Sequence, residues 1–194
     1  MIKPNNYDAT QARNEFIPVE LGGHKLIIKQ VSEKQSSTGK PMIVVMFDFA
    51  PDDAQAGYFM EQYKNDIRPD KKWPNAGTQY ILTLDSADAS KVSRSFKGFI
   101  TSVERSNGFE VEWGDKFCEQ FKNKKVGGVF GLVEEEYNGE IKKRHKLRWF
   151  CEDDRADSAA IPADKLLNGV KSSGKPTDAI ANNIPADAPE EIPF

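Results

Sequence analysis

The chain has 194 residues, of which 38% are hydrophobic and 29% charged, and its formal net charge is -3. At about 150 residues per domain, this length makes one domain with an appendage, too polar for a membrane protein and without the ~18-residue apolar run of a membrane span. Met1-Ile2-Lys3-Pro4-Asn5-Asn6 opens no secretory signal, and Cys118 and Cys151 are too few for a disulfide framework, so a reduced, cytoplasmic protein is expected.

Residues 1–15 read as a flexible lead-in. Val19 to Val31 is the first strand candidate, with Gly22-Gly23 as a bulge or bend. Ser36 to Pro41 is a turn. Met42 to Phe49 is a second strand, rich in β-branched and aromatic residues. One of its faces carries Ile43, Val45, Phe47 and Phe49. The other carries Met42, Val44, Met46 and Asp48, and Asp48 marks it as the wetter face. Tyr58 to Tyr63 and Thr78 to Leu84 are two further strand candidates, with the loop Asn65 to Gly77 between them.

The hydrophobic period then changes. Val92, Phe96, Phe99, Ile100 and Val103 fall on one face of a helix, with Ser86 as N-cap, Asp88 in the first turn and Asn107-Gly108 as the stop. Asp115 to Phe121 is a candidate short second helix. Val126 to Tyr137 and Ile141 to Phe150 are two strands joined at Asn138-Gly139, a tight-hairpin dipeptide. Strands, one helix, then two strands is the order of the oligonucleotide-binding (OB) fold, a five-stranded barrel with a helix between strands 3 and 4. The expected class is mainly β, an OB-like barrel plus an acidic, disordered C-terminal tail. An α+β sandwich shares the order and stays open as an alternative.

Aromatic residues mark the end of the body. Of 20 aromatics, 19 precede Glu152 and the last is Phe194. Glu152 to Phe194 also holds nine acids against four bases, a net of -5, whereas the rest has 23 bases and 21 acids, a net of +2. A segment this poor in large apolar groups cannot offset its own ordering entropy. The division is therefore residues 1–15, an OB-like domain over 16–151, and a largely disordered tail over 152–194, in which Ala163 to Leu167 could make one helical turn.

Enzyme signatures are missing. Gly39-Lys40 lacks the rest of a phosphate loop, and there is no H-E-x-x-H or G-x-S-x-G. His24, His145 and the cysteines have no metal-finger spacing, so neither metal nor cofactor is expected. Glu134-Glu135-Glu136 could serve a magnesium-dependent nuclease, or be a solvated hairpin tip.

The basic residues are more informative. Lys142, Arg144, Lys146 and Arg148 alternate along the last strand and share one face. A polyanion would relieve their repulsion; a lysine- and arginine-guarded sheet edge is the plainer account. Arg68-Pro69-Asp70-Lys71-Lys72-Trp73 is the second signal, since Trp73 could stack on a base while Arg68, Lys71 and Lys72 hold phosphates. Equally, Trp73 could fold back and cap the core. Tyr58 and Tyr63 interleave aromatics with charge just upstream, on opposite faces if that segment is a strand. Leu147 and Trp149 read as core. At the C-terminus, Glu190-Glu191-Ile192-Pro193-Phe194 ends an acidic linker on an apolar anchor and a carboxylate, a form suited to capture by a partner pocket.

That last pentapeptide resembles the tip of bacterial-type single-stranded DNA-binding proteins. The body, from about Leu21 to Arg148, resembles a family of phage and mobile-element proteins regarded as single-stranded DNA-binding proteins. Ser37-Thr38-Gly39-Lys40-Pro41-Met42, Arg68 to Trp73 and the strands around Asn138-Gly139 carry the likeness. With no apolar run no membrane partner is expected, and the resemblance implies an OB body holding DNA and a tip recruiting replication, recombination and repair proteins. It leaves self-association open. The rival reading is a replication or recombination adaptor that binds proteins rather than DNA.

Overall fold

The computed structural model describes residues 17–167, with residues 2, 3 and 5 ahead of them. Most of the 1–15 lead-in and the tail from 168 on, including Glu190, Glu191, Ile192, Pro193 and Phe194, lie outside the described residues. The described chain forms a five-stranded antiparallel sheet of β1 (Gly22–Gln35), β2 (Pro41–Phe49), β3 (Thr78–Leu82), β4 (Lys125–Tyr137) and β5 (Glu140–Cys151) in the order β3-β2-β1-β4-β5. Its main helix, α2 (Arg94–Asn107), lies between β3 and β4 in the chain; α1 (Tyr58–Asn65) precedes β3 and the short α3 (Asp153–Ala156) follows β5. No helix among the described residues is long and apolar enough to cross a membrane.

The sheet is open rather than a closed barrel. Its edge strands β3 and β5 share no hydrogen-bonded ladder. Side chains span that gap instead, because α2 packs on β3, β4 and β5 together. Phe99 of α2 lies 4.9 Å from Phe150 of β5, ring to ring. Burying one such aromatic contributes roughly 1.5–3 kcal/mol, so the helix stabilises the seam without a strand pair.

Several local expectations change for long-range reasons. Tyr58 to Tyr63 is helical, not a strand. Asp48 lies on the face expected to be wet, yet is only 1% exposed. Its carboxylate accepts the N–H groups of Phe59 (2.9 Å) and Met60 (3.2 Å), which are orphan donors of the first turn of α1. A buried anion is tolerated where backbone donors surround it, so β2 specifies the helix across ten residues of chain. In β1 the bulge falls at Lys29, between Ile28 and Gln30, rather than at Gly22-Gly23. Gly23 answers a packing need: a Cβ there would sit 1.8 Å from the Ala156 carbonyl oxygen.

Helix α2 keeps its predicted apolar stripe, with Phe96, Phe99, Ile100 and Val103 buried, and ends at Gly108 in the left-handed region. Its N-cap is Ser93, whose hydroxyl accepts the Phe96 N–H, not Ser86, and Val92 lies outside it. The expected helix at Asp115 to Phe121 is a 3-10 turn over Phe117–Phe121. The β4–β5 hairpin turns at Asn138 and Gly139, both at positive φ (54° and 78°), as the dipeptide predicts.

From Glu152 to Leu167 the chain stays on the body. Lys165 makes a parallel bridge to Val133, so Ala163 to Leu167 is extended rather than a helical turn. Pro162 occupies the space a side chain at Gly131 would need, 2.5 Å from a Cβ built there. This strap packs by small residues against glycines, not by aromatics.

Candidate nucleic-acid interface

The β4–β5 register places Lys142 opposite Glu135, Lys143 opposite Glu134, Arg144 opposite Val133 and Lys146 opposite Gly131. Directly opposed residues share a face, so Glu135 stands among Lys142, Arg144 and Lys146. It forms an ion pair with Lys146 and another with Arg144 (3.4 Å), while Lys142 reaches Glu140 at 3.1 Å. Lys143, on the other face, meets Asp164 at 3.4 Å and Glu134 at 3.9 Å. From Glu134 to Lys146 there are four glutamates against three lysines and one arginine, a net of zero. Glu134 and Glu135 of the glutamate triplet are counter-charges of the basic strand.

Arg148 is separated from the other three. Register shifts between Val129 and Phe130, which pair with Trp149 and Leu147, so Arg148 is the extra residue of a bulge. Its guanidinium donates to the carbonyls of Ala163 (3.1 Å) and Leu132 (3.4 Å), and burial draws its pKa below the usual value. It anchors the strap. The bulge also reverses the faces after it: Leu147 is buried as expected, but Phe150, not Trp149, packs on the core.

The Arg68 to Trp73 loop holds a smaller cluster. Arg68 is turned onto Asp66 by a 2.6 Å ion pair, and those hydrogen bonds hold the Asp66 carboxyl down at about 2. Trp73 is half-buried and packs on the core, its indole N–H donating to the Gly77 carbonyl at 2.9 Å. Tyr63 lies 5.8 Å from it, ring to ring, with the Lys71 ammonium 5.1 Å over the Tyr63 ring. Lys72 is exposed beside them. Tyr58 is apart from this group. Its hydroxyl donates to the Ile17 carbonyl at 2.5 Å, and burial raises its pKa. The structure thus gathers Tyr63, Lys71 and Trp73 in one cluster and Lys142, Arg144 and Lys146 in another.

Two features escaped the sequence reading. Trp113 is 68% exposed and stacks on Phe117, ring centroids 5.2 Å apart. Arg94, Lys97 and Arg105 share the solvent face of α2, a pattern readable from the helical period once the apolar stripe on the opposite face is marked. No family model matches this chain, and no curated protein matches it closely enough to name a relative.

Proposed function

We propose that the chain binds single-stranded DNA with little sequence preference, for phage or mobile-element replication or recombination, and recruits partner proteins through Glu190 to Phe194. The strand order carries this reading. β3-β2-β1-β4-β5 with a helix between β3 and β4 is the OB order with the β3–β5 pair unmade, and OB folds present such sheets and their flanking loops to oligonucleotides. Phosphate contacts from exposed cations and stacking on exposed rings supply the affinity, both blind to base identity. The test is anisotropy of a labelled oligo-dT at two salt concentrations, beside duplex and RNA. Tighter binding to the single strand, weakening steeply with salt, supports the proposal; no binding at low salt overturns it.

The adaptor reading also has an observation behind it. Glu134, Glu135, Glu136 and Glu140 cancel the charge of the hairpin arm, and a neutral arm suits a protein partner better than a polyanion. Capture of partners by the full chain without any oligonucleotide binding is its signature.

A further inference from the structure

We propose that the groove between the solvent face of α2 and the β5–α3 junction is where the phosphate backbone of a nucleic-acid strand runs. This inference rests on the DNA-binding reading and moves the main phosphate contacts away from the sheet and the basic hairpin.

The groove is a shallow, open one of about 630 Å³. Arg94, Lys97 and Arg105 line one wall and Arg155 of α3 the other. On α2 they sit at i, i+3 and i+11, and at about 1.5 Å of rise per residue they span roughly 16 Å along one face. Glu152 is the acid among the lining residues, so the side chains sum to four positive and one negative, a net of +3.

How that acid is used matters. Glu152 accepts Arg105 Nη1 at 2.6 Å and Arg155 Nε at 2.9 Å, one on each carboxylate oxygen. Its own side chain is 15% exposed, whereas those of Arg105 and Arg155 are 63% and 69% exposed. The carboxylate braces two guanidinium groups from beneath and leaves their outer N–H donors facing solvent. Arg94 and Lys97 have no ion pair or hydrogen-bonded side-chain partner among the described residues. Like charges three apart on a helix destabilise it by a few tenths of a kcal/mol, so the arrangement is not explained by helix stability. A concave surface of net positive charge concentrates a counter-charge, and an extended polyanion is a ligand that meets three cations along one wall and a fourth across from them.

Gly98 is the second observation. It lies on the groove wall in mid-helix, where glycine costs about 1 kcal/mol against alanine. A Cβ built there meets nothing within 4 Å, and its φ is not positive. Neither packing nor backbone conformation requires glycine. Its absent side chain leaves the wall low between Arg94 and Arg105, where a sugar-phosphate chain can lie close.

The test uses the full chain, oligo-dT anisotropy across a salt series, and two variants. Arg94 and Lys97 are exposed and unpaired among the described residues, so Arg94→Gln with Lys97→Gln leaves the fold intact, as the melting temperature checks. Two lost phosphate contacts flatten the log-log salt slope by about 1.4, so the affinity lost between 50 and 200 mM salt shrinks about sevenfold. Gly98→Ala is expected to raise the melting temperature while weakening binding. A wild-type chain that binds oligo-dT, with a slope unchanged in the double variant, overturns the groove and leaves the DNA-binding reading standing. A wild-type chain that fails to bind oligo-dT overturns the reading itself. If the double variant instead loses a labelled acidic peptide, Asp-Ala-Pro-Glu-Glu-Ile-Pro-Phe, and holds oligo-dT as before, the groove is a protein-docking site and the inference is overturned.

Discussion

The β4–β5 arm and the outer face of α2 both carry a row of cations, and the two rows are built differently. On the arm, a partner strand lies alongside, and its register sets Glu135 among Lys142, Arg144 and Lys146. On α2, the neighbouring turns supply no acid to Arg94 and Lys97, and Glu152 reaches in only from the far wall. A count of positive residues along the chain ranks the arm first. The contrast teaches that available charge depends on what lies across from a residue, which a strand's own alternation does not reveal. The tryptophans divide in the same way: Trp73 sits in the expected binding loop but packs on the core, while Trp113 lies in an unremarked loop and is exposed.

The largest effect that would break this comparison is on the tryptophans. Trp73→Ala removes a packed indole and its hydrogen bond to Gly77, and should cost about 3 kcal/mol of stability by urea unfolding. Trp113→Ala should stay within about 0.5 kcal/mol. Equal losses would show that exposure does not separate the two side chains.

Next comes the arm's acid. Glu135→Gln breaks the ion pair to Lys146 and releases Arg144 from its own. If the arm is masked rather than inert, oligonucleotide affinity at low salt should rise, and the log-log salt slope should steepen by about 0.7 for the contact Arg144 then makes. An unchanged slope would mean the arm faces away from the strand even when unmasked.

The smallest effect sharpens the description of the groove wall. Burial pushes the Cys151 thiol up to about 11. In a Cys118→Ser background, alkylation of Cys151 should keep accelerating with pH past 9, where an ordinary cysteine levels off. The stability sign follows: the unfolded thiol ionises first, so stability falls as pH rises from about 9 toward 11. A rate that plateaus near pH 9 would place this thiol in open solvent. Bound oligo-dT should slow the reaction further if the strand covers the groove.

Much of the fold was legible locally. The stripe of Phe96, Phe99, Ile100 and Val103 and the Asn138-Gly139 turn are patterns of period 3.6 and positive φ, each written within a few residues. Such features depend on neighbours in the chain, so composition and spacing were enough to name them.

Tertiary structure decided what depends on residues far apart. Tyr58 to Asn65 is a helix because the Asp48 carboxylate meets its first turn. The strap after Cys151 stays on the body because Gly23 and Gly131 leave room for a carbonyl and a proline ring. Phe150 replaces Trp149 in the core because one bulge at Arg148 exchanges the faces of β5. The sheet stays open because α2 fills the seam that a β3–β5 ladder would close. In each case the deciding partner is a side chain distant in the chain, a register shift or an excluded volume, and none of these has a period in the amino-acid sequence.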